Sequence, residues 1–349
     1  MATPTASLSR SAASSWESPV RCAAATKSSA PAHAASASNA APARAVADSY
    51  VASQKFGGDW TEQKLQILDH YLTEYCKIFQ VSPRAKYFDT IYVDAFAGSG
   101  LIEKRKALVD RQELFAEFRD SETIEFLKGS ASRALQHSFA RYVFIEKAAS
   151  QIPDLQKVRS ESPQKNRILI EQGDANIHLL DLVNSTDWKK CRAVVFLDPY
   201  GMQVDWKTIQ QLGKTAAVDL WLLFPLGQAV MRLLRKEGEP PAEWQEALDR
   251  IFGTHEWYAR FYVTEREAGL FENEIVSTRR VADWQTVGAF MIERLQTAFH
   301  AVDTKPGILP NSQNVALYLF CFASANPKGA PTALKIARDL LKRLGSQYG

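Results

Sequence analysis

Five short apolar runs in the middle of the sequence constrain the fold more than any other feature. Each run is bounded by turn residues, and segments with helical spacing, such as SASRALQHSF, IHLLDLVNS and DWKTIQQLGK, lie between the runs. Strands that alternate with helices form a parallel sheet whose two faces those helices cover. The sequence therefore predicts an α/β fold with a mostly parallel sheet. The five runs are IYVDAFAG, RYVFIEK, RILIEQGD, RAVVFLDPYG and VDLWLLFPLG.

Amphipathic segments flank these runs at both ends of the ordered chain. Before the first run, apolar residues in GGDWTEQKLQILDHYLTEYCKIF recur at intervals of three and four, which predicts a helix packed on a larger body. Near the C-terminus, NVALYLFCFASANPKG is rich in aromatic and β-branched residues and is typical of a strand. The segment APTALKIARDLLKRL that follows it has the spacing of an amphipathic helix.

Residues 1–52 differ in composition from the rest of the chain. They are rich in Ala, Ser and Pro and contain almost no large aliphatic residues, so they cannot bury enough apolar surface to offset the entropy lost on ordering. We predict a disordered tail here. A transit peptide, which is Ser-rich, Arg-bearing and acid-poor, is one interpretation of it. A low-complexity extension, or a start codon placed too early, is the other.

The remaining residues divide into a core and an insert. Residues 53–227 hold the five runs, and residues 313–349 supply the final strand and helix that complete the core. Residues 228–312 lie between them, and two of their segments show helical spacing, which predicts a helical insert. Basic and aromatic side chains are interleaved in this insert, which suits either a solvated face or a small winged-helix-like cap that holds nucleic-acid phosphates. They are Arg232, Arg235, Lys236, Arg279, Arg280, Trp244, Trp257 and Tyr258.

Composition excludes several classes of protein. No run approaches the roughly 18 to 20 apolar residues that a membrane helix needs, so we expect no membrane span. The net charge of +3 permits a nucleic-acid partner without requiring one. The four cysteines are scattered without CxxC spacing, which argues against a zinc site or a disulfide framework and favours a reducing cytoplasm. They are Cys22, Cys76, Cys191 and Cys321.

Glycines and acids mark the ends of the predicted strands. Gly98 and Gly100 close the first run, where a backbone without side chains can approach a ligand at the carboxyl end of the sheet. Glu146, at the end of the second run, would suit the two hydroxyls of a ribose, because a carboxylate accepts two hydrogen bonds from a cis diol. Asp174, after the third run, would suit the amino group of an adenine. A single acid at a strand end is usually a helix cap or solvated. Acids at four successive strand ends favour a binding site, and these are Asp94, Glu146, Asp174 and Asp198.

These acids and glycines resemble the cofactor site of class I methyltransferases, which use S-adenosylmethionine. An NAD-binding Rossmann domain is the competing interpretation, but the turn lacks the third glycine of GxGxxG, which dinucleotide sites use for close helix packing. The fourth run ends in FLDPYG, which looks like the Asp/Asn-Pro-Pro-Tyr signature of methyltransferases acting on nucleobase amino groups, although the second proline is missing. It looks still more like the DPFG version of tRNA guanine dimethyltransferases. Class I methyltransferase sheets also end in an antiparallel strand.

The FLDPYG segment carries the chemistry that this resemblance implies. Asp198 and the carbonyl of Pro199 would accept hydrogen bonds from an exocyclic amine and orient its lone pair toward the methyl group. Tyr200 would stack on the flipped base. A Pro-Gly turn with a buried tyrosine is the plainer interpretation of the same residues.

Taken as a whole, the chain resembles the three-Cys-motif partner proteins (TcmP). The motifs that carry this resemblance are GGDWTEQKLQIL, YVDAFAGSG, GSASRAL, RYVFIEK, FLDPYG and ALYLFCFASANPKG. The resemblance implies a Rossmann-like class I methyltransferase fold, S-adenosylmethionine as cofactor and a radical SAM partner that carries three cluster-binding cysteines. It leaves two functions open, methylation of an exocyclic amino group of a nucleobase and a non-catalytic accessory role. The implied cofactor-binding residues are Asp94, Phe96, Gly98, Gly100, Glu146 and Asp174, the catalytic residues are Asp198, Pro199 and Tyr200, and no metal is expected.

Overall fold

The computed structural model of the protein describes residues 59–99, 129–199, 201–268, 274–311 and 313–345. The predicted tail, residues 1–52, lies outside the described residues. Within these ranges, no helix is both long and apolar enough to cross a membrane.

An eight-stranded sheet forms the centre of the fold. Its strand order is β3-β2-β1-β4-β5-β10-β8, and β9 also pairs with β10. Strands β1 to β5 are parallel, and β10 runs antiparallel to β5. This arrangement confirms the predicted Rossmann-like sheet, which is mostly parallel with an antiparallel last strand. The strands are β1 (Asp89–Asp94), β2 (Arg141–Glu146), β3 (Ile168–Gln172), β4 (Cys191–Leu197), β5 (Val218–Phe224), β8 (Ala301–Val302), β9 (Gly307–Pro310) and β10 (Ala316–Ser324).

Helices cover both faces of the sheet, as the alternation of strands and helices predicts. Successive residues of β1 point to opposite faces, so that Tyr92 packs with α1 and α9, whereas Val93 packs with α4, α5 and α8. The predicted N-terminal and C-terminal amphipathic helices are α1 and α9. The helices are α1 (Asp59–Val81), α2 (Ser130–Ala134), α3 (Ile152–Glu161), α4 (Ala175–Ser185), α5 (Trp206–Lys214), α6 (Ala242–Phe252), α7 (Glu256–Phe261), α8 (Trp284–Ala298) and α9 (Ala330–Gly345).

The insert, residues 228–312, is more varied than its helical spacing predicts. It contains α6, α7 and α8, but also an antiparallel ribbon of β6 (Tyr262–Ala268) and β7 (Glu274–Arg280), and its last part supplies β8 and β9 to the main sheet. The ribbon contains the β-branched residues Val263, Thr264, Ile275, Val276 and Thr278, which favour strands over helix. Glu237 forms an antiparallel bridge to Arg279 beside the ribbon. This order of elements is compatible with the winged-helix-like alternative, which stays a prediction.

A buried carboxylate fixes α1 across the sheet. The Tyr71 hydroxyl of α1 donates a hydrogen bond of 2.7 Å to Asp219 Oδ2, and the Ser324 hydroxyl of β10 donates one of 2.6 Å to Asp219 Oδ1. The Tyr71 ring also packs at 5.2 Å from both Trp221 and Phe322. Burial raises the pKa of Asp219 to about 6, although the two hydroxyl donors oppose the rise. One carboxylate therefore links α1, β5 and β10.

Removal of the Tyr71 hydroxyl should destabilise the fold in a pH-dependent way. Tyr71→Phe leaves one oxygen of a buried carboxylate without its donor, and we expect a loss of about 1 to 2 kcal/mol in the free energy of unfolding. The ordinary pKa of Asp219 is 3.8 and its folded pKa is about 6, so its ionised form, which the hydroxyl stabilises, dominates only above that upper value. The loss should therefore be larger at pH 8 than at pH 5 in urea denaturation.

Tyr75→Phe is the matched control for this prediction. Tyr75 lies on the same helix, and its buried hydroxyl has no hydrogen-bond partner among the described residues, so its removal should cost little. Equal losses in the two variants would show that the bond to Asp219 contributes nothing specific.

Candidate functional site

The turn after β1 has the backbone geometry that its glycines predict. Gly98 adopts a φ of +58°, a left-handed conformation in which a side chain would be strained. The Gly98 N–H donates a hydrogen bond of 2.8 Å to Glu146 Oε2, and the Ala97 N–H donates one of 3.0 Å to the Ile145 carbonyl. The turn is thereby held against the end of β2. Gly100 falls outside the part of the chain that the structure describes.

Glu146 is fixed by backbone donors on both of its oxygens. Besides the bond from Gly98, Oε1 accepts a hydrogen bond of 2.7 Å from the Ala148 N–H. Each carboxylate oxygen has a further lone-pair position, so this half-buried side chain can still accept two hydrogen bonds from outside. Because rigid backbone groups orient it, the carboxylate is preorganised for a ligand that presents two hydroxyls.

Asp174 begins α4 as its N-cap. Its Oδ1 accepts a hydrogen bond of 2.9 Å from the Asn176 N–H, and its Oδ2 lies 3.6 Å from the Lys147 ammonium. A bond of 3.0 Å from the Gly173 N–H to the Glu146 carbonyl places this strand end beside that of β2. Asp174 therefore serves as a helix cap, and its side chain stays 39% exposed toward the sheet edge.

Asn176 is a connecting residue that the sequence did not reveal. Its side-chain amide donates a hydrogen bond of 2.8 Å to the Gln203 carbonyl, and its carbonyl oxygen accepts bonds of 2.9 Å from the Asp205 N–H and the Thr208 hydroxyl. These bonds tie the start of α4 to the loop that follows β4. The GDAN segment contains the residue, but only the fold shows which loop it contacts.

Asp94 is a fully buried carboxyl at the end of β1. Its Oδ1 accepts a hydrogen bond of 3.3 Å from the Phe96 N–H, whereas its Oδ2 has no hydrogen-bond partner among the described residues. Burial raises the pKa of Asp94 to about 7, and the charges of Asp198 and Glu146 add to the rise, while hydrogen bonds from Ser130 and Phe96 oppose it. A buried polar atom without a partner is uncommon in folded proteins and marks a place where a ligand can donate.

Asp198, immediately after β4, faces a buried lysine. Its Oδ1 lies 3.7 Å from the Lys64 ammonium of α1, and the two side chains are 6% and 0% exposed. Burial raises the pKa of Asp198 to about 6 and lowers the pKa of Lys64, while the attraction between the two charges opposes both shifts. Sequence reasoning gave Lys64 no role. The sequence does carry one signal: Lys64 precedes the apolar residues Ile67 and Leu68 by three and four positions, which places it on the apolar face of α1.

The other predicted site residues are placed unevenly. Pro199 is buried beside Asp198. Phe96 is half-buried and packs on the core layer that contains Val93. Tyr200 lies outside the described residues, and Gly201 after it adopts a φ of +74°. The structure therefore gathers Asp94, Gly98, Glu146, Asp174 and Asp198 at the carboxyl edge of four neighbouring strands.

This edge can accept hydrogen bonds and attract a positive charge. Carboxylates at the ends of β1, β2 and β4 and after β3 surround a turn whose backbone is open at Gly98. Across the described ranges, no group of three or more His, Cys, Asp or Glu residues is arranged to hold a metal ion. The donor set suits an organic ligand that carries hydroxyl and amino groups.

Comparisons with known proteins find similarity at low identity. No protein-family model and no curated protein matches the chain. Among solved structures, the glycopeptide N-methyltransferase MtfA in complex with sinefungin is 13% identical, with 78% of this chain and 88% of that chain covered and a TM-score of 0.32. The O-methyltransferase TomG from Streptomyces achromogenes, in complex with SAM, is 12% identical, with 67% and 95% covered and a TM-score of 0.29.

Replacement of Asp94 should change how stability depends on pH. The ordinary pKa of this carboxyl is 3.8 and its folded pKa is about 7, so the folded protein binds the extra proton between these values and loses stability as the pH rises through them. Asp94→Asn removes this loss. We expect the variant to gain up to about 4 kcal/mol in unfolding free energy relative to the wild type between pH 4 and 8.

Urea denaturation at several pH values measures this effect. Asp181→Asn, at an exposed position of α4, is the control and should keep the wild-type profile. A profile for Asp94→Asn that runs parallel to that of the wild type would show that Asp94 does not titrate in this range.

Proposed function

We propose that this chain binds S-adenosylmethionine at the carboxyl ends of β1, β2 and β3 and methylates an exocyclic amino group of a nucleobase. The buried Asp94, whose Oδ2 has no hydrogen-bond partner among the described residues, carries the proposal because it adjoins the Gly98 turn. In sheets of this topology, ligands bind outside the carboxyl ends of the strands, where the order of the strands reverses. In this sheet the order reverses between β1 and β4, which are neighbours in the sheet although β2 and β3 lie between them in the chain.

Each residue of the edge matches one part of this donor. The Glu146 carboxylate would accept hydrogen bonds from the ribose hydroxyls, and Asp174 would accept one from the adenine amino group. Asp94 would accept a bond from the ammonium of the methionine part, which would satisfy its Oδ2. Gly98 lets the backbone approach the donor without a side chain, and Phe96 supplies an apolar surface beside it.

Methyl transfer requires an amine whose lone pair faces the donor. When bound, S-adenosylmethionine supplies a methyl group whose bond to sulfur breaks as its bond to the amine nitrogen forms, which leaves a thioether and releases one proton from the amine. Asp198 and the Pro199 carbonyl would accept hydrogen bonds from the amine and orient its lone pair, and Tyr200 would stack on the base. Once the lone pair is aligned, neither a metal nor a general base is needed.

One observation favours the alternative, a non-catalytic accessory protein. The Asp198 side chain is only 6% exposed and already faces Lys64, so an acceptor amine must reach a carboxylate that is both buried and paired. The resemblance to three-Cys-motif partner proteins supports this alternative as well, with a radical SAM three-Cys-motif protein as the proposed partner.

The insert gives limited support to a nucleic-acid substrate. The Arg280 guanidinium donates hydrogen bonds to the carbonyls of Met231 and Leu234, and Arg279 pairs with Glu265 at 2.9 Å. Two of the basic residues proposed to hold phosphates are therefore engaged within the insert. Arg232, Arg235 and Lys236 are exposed and are further candidates for phosphate contact.

Donor binding can be tested by calorimetric titration. The chain should bind S-adenosylmethionine and S-adenosylhomocysteine in preference to NAD. Glu146→Ala should weaken this binding by about 1.5 to 3 kcal/mol, the scale of hydrogen bonds to a charged group. Gly98→Ala should abolish it while the protein still folds, because a side chain is strained at this positive φ and would lie where the donor is proposed to approach the backbone.

Glu161→Ala, at the exposed end of α3, is the control and should bind like the wild type. Preferential binding of NAD would overturn the assignment of the donor. Unchanged affinity in Glu146→Ala would remove that residue from the site.

Catalysis can be separated from donor binding at Asp198. Asp198→Asn should leave the affinity for S-adenosylmethionine nearly unchanged and lower turnover by on the order of a hundredfold or more, because the residue holds the acceptor. Transfer of a tritiated methyl group to structured RNA, single-stranded DNA and duplex DNA measures turnover, with and without the radical SAM partner. A wild-type chain that binds the donor but transfers no methyl group in any mixture would favour the accessory alternative.

A further inference from the structure

Lys64 occupies a position where an ammonium is costly to keep. It lies on the face of α1 that packs on the sheet, next to Leu68, and its side chain is 0% exposed. Removing a charge from water is strongly unfavourable unless an opposite charge compensates it. A lysine on this apolar face therefore needs its ionic partner, Asp198, and has a role that an apolar side chain could not supply.

The surroundings of Asp198 show what that role is. Lys64 of α1 approaches it at 3.7 Å and also lies over the Tyr318 ring of β10 at 5.8 Å. Asp94 of β1 is paired with Phe196 of β4. Asp198 follows Phe196 by two residues, so Asp94 and Asp198 lie on the same face of the sheet. The buried Tyr92 hydroxyl is on this face as well. The Asp94 and Asp198 carboxyls thus lie close enough to interact, and Lys64 is the ammonium that faces Asp198.

We infer that Lys64 is a positioning residue: its ammonium keeps the Asp198 carboxylate ionised beside the like charge of Asp94 and holds it at the end of β4. Without Lys64, burial and repulsion by Asp94 would both favour the protonated form of Asp198. A protonated carboxyl accepts hydrogen bonds less well than a carboxylate and would orient an amine poorly. The consequence for methyl transfer rests on the proposed function, whereas the effect on Asp198 does not.

A purely structural role for Lys64 makes a different prediction. The Tyr71–Asp219 hydrogen bond is a second buried polar contact between α1 and the sheet, at the opposite strand ends. If Lys64 only anchored α1, Lys64→Met and Tyr71→Phe would both affect stability, and neither would change the titration of Asp198. Tyr71→Phe is therefore the matched control.

Carboxyl NMR of protein labelled with ¹³C-aspartate measures the titration directly. The Asp198 signal is assigned by its loss in Asp198→Asn, and in the wild type it should titrate with a pKa of about 6. In Lys64→Met the pKa of Asp198 should rise by about one to two units, as expected for loss of an opposite charge at this distance. In Tyr71→Phe it should stay at the wild-type value. A pKa of Asp198 that is the same in Lys64→Met and the wild type would overturn the inference.

The pH profile of methyl transfer extends the test. At pH 7, Lys64→Met should turn over about two- to tenfold more slowly than the wild type, with the KM for S-adenosylmethionine within about twofold, because fewer Asp198 carboxyls are ionised. The loss should recover by about pH 9, where Asp198 ionises without help. An equal loss at every pH would overturn the positioning role. A wild-type chain with no methyl transfer would refute the proposed function instead, and the NMR titration would still decide whether Lys64 ionises Asp198.

Discussion

The fold depends on how α1 is held across the central sheet. Two buried polar contacts do this, Lys64 with Asp198 at the carboxyl ends of the strands and Tyr71 with Asp219 at the other ends. The two α1 residues are seven positions apart, which is about 10 Å along a helix and two turns on one face. Between and beyond them, apolar residues close one of the two core layers, so the helix that completes the fold also brings a charge to the candidate site.

Three of the buried carboxyls, Asp219, Asp94 and Asp198, differ in how completely the protein pairs them. Asp219 has a hydroxyl donor on each oxygen, so its hydrogen bonding is complete within the protein. Asp94 has one backbone donor and one oxygen without a partner in the described residues, and Asp198 has an ion pair longer than a hydrogen bond. Incomplete pairing is unfavourable for stability alone. Asp94 and Asp198 lie at the strand edge where ligands bind in this topology.

The sequence predicted the parts of the structure that depend on local pattern. Strand and helix order follow from apolar periodicity, and the turn at Gly98 follows from a glycine after a buried strand. Lys64 and Asn176 were missed because their partners are distant in sequence, and only the packed fold brings α1 to β4 and α4 to the loop after β4. The ribbon of β6 and β7 was missed because two helical segments dominated the periodicity of the insert. Gly100, Tyr200 and the tail lie beyond the described ranges, so the predictions made for them stay predictions.

Under the proposed function, the charges at this edge also favour binding of the donor over binding of its product. With Asp94 and Asp198 ionised and Lys64 protonated, the three buried groups carry one net negative charge. S-adenosylmethionine carries a positive sulfonium that this charge attracts, whereas the thioether product has lost it. Because charges interact more strongly at a buried edge than in water, the donor gains an attraction that the product lacks. A site that kept both carboxylates without Lys64 would have to bear two like charges in a buried place, and burial would then favour protonation and cancel the attraction. Lys64 thus opposes the protonation of Asp198 at a buried edge that also holds Asp94.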